Sequence, residues 1–395
     1  MYDGILGTLT DVSFIAMCSP KPFKFASNQQ IDQRTHVLTQ GIDHEECDLF
    51  KGQWIPDQNG SAYTSTNCSW IPEWKNCFKH GRKDTDFINW RWKPIECELP
   101  RFDPKTFLRI VQHKIMVFVG DSVARNHMES LLCLLSQVVG PTEVDKDGED
   151  RSQTMYFYSH NFTLVFIPTT FLVTSEERFI NGSSFGPFNL HLDRIDNKWS
   201  QKLQGSDYAI ISDAHWFFRP NYIYEGGILI GCVYCSDLNV THFGLDFAFR
   251  KVFRTTLEFI SGCKECKGLT TLVRTFSPAH FENGAWNAGG YCNKTSPLGE
   301  GEINLGGFEW ELRTVQVEEV ERVRKGGQRG QRFVELDVTM AMLMRPDGHP
   351  GPHYGNQQMT GINDCLHWCL PGPIDAWNDL LMAVLKKEAG LSLEG

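Results

Sequence analysis

The chain reads as an α/β protein built on a doubly wound, mostly parallel sheet, with a cysteine-rich segment wrapped onto it. Three observations lead there. Beyond residue 101, short apolar runs alternate with amphipathic stretches, the pattern of strands joined by crossover helices. Residues 115–119 form a continuous apolar run instead of an alternating one, as suits a strand covered on both faces. With 395 residues, 41% of them hydrophobic, and no low-complexity tract, the chain can bury a large core.

Residues 1–46 read as an irregular N-terminal segment whose polar second half, 21–46, is a linker. The apolar run from Ile5 to Met17 is short and interrupted by Asp11, with Asp3 ahead of it where a leader carries basic residues. No other stretch is long and apolar enough to span a bilayer. Residues 47–100 differ: four cysteines, five tryptophans, many turn residues and little periodicity. Such a segment is stapled onto a neighbour instead of making its own core.

The main domain, 101–390, opens with a strand over 114–120 that turns at Gly120-Asp121-Ser122 into a helix over 123–138, where Val123, Met128, Leu131, Leu132 and Leu135 recur at helical spacing. Further strands are expected over 162–168, 207–213, 270–276 and 333–338. Helices are expected over 191–204, 242–261, 313–325 and 374–388. Function in such a sheet lies at the C-terminal ends of the strands, where Ser122 sits.

Composition narrows the function. A net charge of −10 argues against a nucleic-acid surface. Thirteen cysteines together with six Asn-x-Ser/Thr sequons, at Asn59, Asn67, Asn161, Asn181, Asn239 and Asn293, favour a secretory-pathway lumen with disulfides. The 11 tryptophans serve a core first, although sugar rings stack on such side chains too.

Two constellations carry chemistry. A hydroxyl at Ser122 meets the unpaired N–H groups and positive end of a helix, a setting that favours an acyl-transfer nucleophile; Asp121 or Ser122 acting only as a helix cap fits the same stretch. Far downstream, Asp364 and His367 stand three apart, so on a helical turn the carboxylate can hold one face of the imidazole. Together the three supply nucleophile, base and orienter. His349 and His353 lie in a Pro/Gly loop and read as loop-shaping or acceptor-contacting residues. The pattern Gly-x-Ser-x-Gly is missing, since Ala124 fills the last position. Cys232-x-x-Cys235 and Cys263-x-x-Cys266 read as two disulfides, with a four-cysteine zinc site as the alternative. Arg322, Arg324, Lys325, Arg329 and Arg332 flank a Gly-rich bend and read as a solvated helix end or a contact for an acidic glycan.

Gly120-Asp121-Ser122 and Asp364-x-x-His367 resemble the signatures of the plant trichome birefringence-like family, whose catalytic domain is similar to the Gly-Asp-Ser esterases. CDLFKGQWIPD from Cys47, WRWKP at 90–94, SVARNHMESLLCLL from Ser122 and RPDGHPGPHYG at 345–355 also resemble family motifs. The resemblance implies Golgi-lumenal O-acetyltransferases of cell-wall polysaccharides, held by an N-terminal transmembrane helix that is not visible in this chain. It implies Ser122 as nucleophile, His367 as general base and Asp364 as its orienter, with no metal. Gly120, Asp121, Arg125 and Asn126 would shape the turn and the oxyanion site, and the Ser122 N–H would be one oxyanion donor. It implies the disulfides Cys47 with Cys97, Cys68 with Cys133, Cys77 with Cys369, and Cys292 with Cys365, leaving Cys18 over.

The expected reaction is transfer of acetyl from a donor, such as acetyl-CoA, through a serine acyl-enzyme to xyloglucan, with xylan next. No bound cofactor is expected. Trp216 and Trp368 are candidate walls of the acceptor groove, and His349 a candidate acceptor contact. An acetyl-polysaccharide esterase and a non-catalytic wall-polysaccharide binding protein are the competing readings.

Overall fold

A computed structural model describes residues 47–146, 152–178, 186–326, 330–355 and 361–393. The irregular segment expected over 1–46, with Cys18, lies outside them, as do the Asn181 sequon and Arg329.

In chain order the elements are β1 (Gly52–Pro56), β2 (Trp90–Pro94), α1 (Pro104–Ile110), β3 (Ile115–Gly120), α2 (Ser122–Ser136), β4 (Thr142–Lys146), β5 (Gln153–Phe157) and β6 (Phe162–Pro168). Then follow β7 (Val173–Glu177), β8 (Phe188–Ile195), α3 (Asn197–Ser200), β9 (Tyr208–Ser212), β10 (Asn221–Glu225) and β11 (Ile228–Val233). The last are α4 (Leu245–Gly262), β12 (Thr270–Arg274), α5 (Phe308–Gly326), β13 (Arg332–Leu336), α6 (Thr339–Leu343) and α7 (Ala376–Glu388).

The main sheet runs β13-β12-β9-β3-β6-β5-β4. Its first five strands are parallel, and β5 and β4 add an antiparallel edge. β3 is the point where the order turns: the chain goes outward to β6 on one side and to β9, β12 and β13 on the other. A crevice opens at the C-terminal end of such a strand. Successive β3 residues face opposite layers, which explains the continuous apolar run. Met116 and Phe118 join a core with residues of α1, α2 and α7, whereas Val117 and Val119 join one with residues of α4 and α5.

The second face also carries a four-stranded sheet, β11-β10-β8-β7, that the sequence did not announce. It corrects the helix expected over 191–204. Residues 188–195 are a strand whose Phe188, Leu190 and Leu192 are buried alternately, and only Asn197–Ser200 and a short 3-10 turn after it are helical. The segment from Cys47 to Cys97 is more regular than expected, because β1 and β2 pair antiparallel.

Six disulfides close among the described residues: Cys47–Cys97, Cys68–Cys133, Cys77–Cys369, Cys292–Cys365, Cys232–Cys235 and Cys263–Cys266. The last two pairs flank α4 at its two ends, so they do not form the four-cysteine zinc site held as an alternative. No helix among the described residues is long and apolar enough to cross a membrane.

Candidate active site

The site begins with a close approach of two strands. Gly120 pairs with Ser212 of β9, and a Cβ at position 120 would lie 1.7 Å from the Ser212 carbonyl oxygen. Only glycine lets β3 end there. Asp121 then caps α2, its Oδ1 accepting from the N–H groups of Val123 at 2.9 Å and Ala124 at 3.3 Å. Its Oδ2 reaches across to β9's end and accepts from the ring Nδ1 of His215 at 3.2 Å and from the N–H groups of Ala214 and His215 at 3.4 Å. Burial opposes the Asp121 charge, but the hydrogen bond and charge of His215 and the charge of Arg274 hold its carboxyl well below the usual range. The cap therefore ties β3, β9 and α2 together and leaves Ser122 exposed at the first helical position.

Asp364 and His367 meet it from the C-terminal part of the chain. Their turn is not helical, as the spacing suggested. Asp364 Oδ1 accepts from the N–H groups of Leu366 at 3.0 Å and His367 at 2.9 Å, an Asx turn, and Oδ2 accepts from His367 Nδ1 at 2.8 Å. With Nδ1 donating, Nε2 presents its lone pair to Ser122 Oγ at 2.7 Å. Burial would raise the Asp364 carboxyl, yet the charge of His367 and these hydrogen bonds bring it down to about 2.

Asn126, fully buried one turn after Ser122, clamps the same turn at two points: Oδ1 accepts from the Trp368 N–H at 2.8 Å and Nδ2 donates to the Trp368 carbonyl at 3.3 Å. The cysteine-rich segment supports it from behind. The Leu370 N–H donates to the Lys75 carbonyl at 3.0 Å, next to the Cys77–Cys369 bridge, and the Lys75 ammonium meets Glu129 of α2 in a buried pair. Ser122, Asn126, Glu129 and Cys133 thus form one stripe along α2, the first two engaged with the turn at 367–368 and the last two with Lys75 and Cys68 of the cysteine-rich segment. That stripe, with spacings of four, three and four, is the sequence signal that went unread.

Other expected site residues fall elsewhere. The Arg125 guanidinium lies over the Phe166 ring at 4.4 Å. Trp216 is half-buried, with Arg219 over its ring at 4.3 Å and Phe188 set edge-on to it at 5.8 Å. Trp368 is fully buried, its indole N–H donating to Ser277 Oγ at 3.0 Å, and it cannot wall a groove. His349 is also buried, stacked on Trp368 with centroids 4.1 Å apart, which removes it as an acceptor contact. His353 turns to the His80 carbonyl at 3.0 Å. The described members of the basic cluster are paired with acids: Arg322 with Glu258 and Glu319, Arg324 with Glu335, Lys325 with Glu321, and Arg332 with Glu388. Cys232, Cys235 and His242 bring their ligand atoms within 4.8 Å of one another, but the two sulfurs are bonded together and His242 Nε2 meets the Asp237 carbonyl at 2.9 Å.

A Gly-Asp-Ser turn closing the central parallel strand, with an Asp–His pair delivered to its serine, defines the class of Gly-Asp-Ser, or SGNH-like, esterase-fold proteins. The chain belongs to the PC-esterase family, the GDSL/SGNH-like acyl-esterase family found in Pmr5 and Cas1p, whose model matches residues 99–384. The PMR5 N-terminal domain matches residues 45–98. Among similar proteins, xyloglucan O-acetyltransferase 4 of Populus trichocarpa is 55% identical over 97% of this chain and 91% of its own length. Xyloglucan O-acetyltransferase 2 of Arabidopsis thaliana is 50% identical over 93% of this chain and 88% of its own length. Protein trichome birefringence-like 26 of the same plant is 43% identical over 86% of this chain and 77% of its own length.

Proposed function

We propose that this protein is an O-acetyltransferase that carries an acetyl group on Ser122 and passes it to a hydroxyl of a plant cell-wall polysaccharide, xyloglucan before xylan. The observation that carries the chemistry is the unbroken line of short contacts from Asp364 through His367 to Ser122 Oγ. The names of relatives at 50–55% identity, xyloglucan O-acetyltransferases, support the acceptor.

His367 Nε2 takes the Ser122 proton as Oγ attacks the acetyl carbonyl of an activated donor such as acetyl-CoA, then returns that proton to the departing donor group. The acceptor hydroxyl next gives its proton to the same nitrogen while its oxygen attacks the acyl-enzyme. Ser122 Oγ leaves and regains the proton. Asp364 keeps the ring in the Nδ1–H tautomer and faces the imidazolium formed in each half-reaction. Asp121 occupies the N–H groups of Val123, Ala124, Ala214 and His215, so the Ser122 N–H, at the positive end of α2, serves the developing oxyanion. The half-buried Trp216 is the candidate sugar platform. The place of reaction is the Golgi lumen or another part of the secretory pathway, which the six disulfides favour.

The test is mass analysis of xyloglucan, xylan, mannan and pectin oligosaccharides incubated with the purified protein and an acetyl donor. Xyloglucan oligosaccharides gain acetyl groups, and Ser122→Ala abolishes the gain while its thermal unfolding is unchanged. Retained transfer by Ser122→Ala refutes the acyl-enzyme. Net loss of acetyl groups identifies an esterase, and failure of a serine-directed probe to label Ser122 identifies a binding protein.

A further inference from the structure

Beneath His367 lie two histidines that this mechanism does not use. A carbonyl oxygen only accepts, so His349, which meets the His367 carbonyl through Nδ1 at 2.7 Å, carries its proton on that nitrogen. Its Nε2 then presents a lone pair to His280 Nδ1, also at 2.7 Å. The proton of His280 therefore belongs on Nδ1. The third contact, from His280 Nε2 to the Leu343 carbonyl at 3.2 Å, is the longest, and it is the one a neutral pair gives up. Burial favours neutrality in both rings, lowering His280 to about 4 and His349 well below its ordinary value.

We propose that His280 and His349 are positioning residues: a file of two aligned imidazoles that fixes the backbone of His367 through its carbonyl and so aims Nε2 at Ser122. The proposal rests on His367 acting as the base. Each member of the file is anchored independently of the others. The His280 N–H donates to the carbonyl of Cys365, which is bridged to Cys292. His349 is held through its own carbonyl by Arg82 of the cysteine-rich segment at 3.0 Å, and Arg82 also donates to the Asp347 carbonyl at 2.7 Å. With Asp364 on its N–H and His349 on its carbonyl, the His367 peptide groups are held on both sides of the ring. A base displaced by an ångström loses much of its rate, which gives such a frame its use.

The competing account is packing, because His349 also stacks on Trp368. Two variants separate the accounts. In His349→Asn the amide nitrogen occupies the place of Nδ1 and keeps the bond to the His367 carbonyl; in His349→Gln the amide reaches the place of Nε2, where its oxygen can accept from His280 Nδ1, and the bond to the His367 carbonyl is lost. Both lose the stacked ring. Steady-state acetyl transfer to a xyloglucan oligosaccharide is measured for each, with the labelling rate of Ser122 by a serine-directed phosphonate. We expect kcat of His349→Gln to fall about 10²-fold with KM little changed, labelling to slow in parallel, and His349→Asn to stay within about fivefold of the parent. Equal losses in the two variants, or a greater loss in His349→Asn, overturn the positioning role. Should either variant fail to fold, the same comparison at His280 decides: His280→Asn retains the donor to His349 and keeps activity, whereas His280→Gln does not, and the reverse order overturns the proposal. If Ser122→Ala retains transfer, the acyl-enzyme itself falls; if Ser122→Ala is inactive while His349→Gln matches His349→Asn, only the imidazole file falls.

Discussion

Asp364 does with two oxygens what is often divided among several groups: one oxygen builds the turn by accepting two backbone N–H groups, the other selects the histidine tautomer. In Asp364→Asn the amide oxygen can keep the turn, but an N–H then faces Nδ1 and drives the ring proton to Nε2, where it blocks acceptance from Ser122. We expect kcat for acetyl transfer to drop by roughly 10⁴ with KM little changed, measured by steady-state kinetics. The same residue has a pH signature. Its carboxyl sits at about 2 in the fold against an ordinary 3.8, so its contribution is present above pH 4 and is lost as pH falls towards 2. That contribution is about 2 kcal/mol, and it disappears from the acid limb of the unfolding curve in Asp364→Asn. Ser122, Asp364 and His367 were legible because their chemistry and order survive translation into sequence. Their supports were not. Nothing in RPDGHP distinguishes a histidine facing solvent from one buried against the His367 carbonyl, and Trp368 beside His367 is equally silent about its burial.

At the scale of elements, α2 was easy to find, because its apolar residues recur at helical spacing, and harder to interpret. Beyond Ser122 its stripe is buried. Lys75→Met leaves the Glu129 carboxylate buried without its partner, and the cost expected in denaturant unfolding is about 3–5 kcal/mol. Lys75→Met combined with Glu129→Met removes both charges, and most of that loss should be recovered. The strand over 188–195 shows why elements are misread. Leu192, Ile195, Trp199 and Leu203 follow helical spacing, while Phe188, Leu190 and Leu192 follow strand spacing, so the stretch carries two periods at once. Pairing with β7 and β10 decides between them, and those partners were themselves unexpected. The five parallel strands were legible because each carries a short apolar cluster set between amphipathic helical stretches; β1 and β2 lie in a segment of turns with no such alternation around them.

Over the whole molecule, the cysteine-rich segment is part of the frame of the site. It also lies against the start of α7, where two acids are buried: Tyr63 and Ser130 donate to Asp375, and the Phe102 N–H donates to Asp379. Burial raises Asp375 to about 6 and Asp379 to about 7. Between the ordinary value of 3.8 and about 7 the unfolded chain has released the Asp379 proton and the fold has not, so stability falls as pH rises through that window. Asp379→Asn can keep the bond to Phe102, and thermal unfolding should then occur at higher temperature at pH 8 and lose much of its decline between pH 4 and 7. One feature of α2 reaches further than any single bond. Inserting or deleting one residue between Ser122 and Cys133 would swing the Ser122 hydroxyl about 100° around the helix axis relative to the bridge that secures the other end. The hydroxyl would leave the imidazole although every side chain of the triad remained. In this protein the length of a helix is therefore as much a chemical requirement as the identity of its first residue, and variation in chain length has to be absorbed in loops that the stripe does not cross.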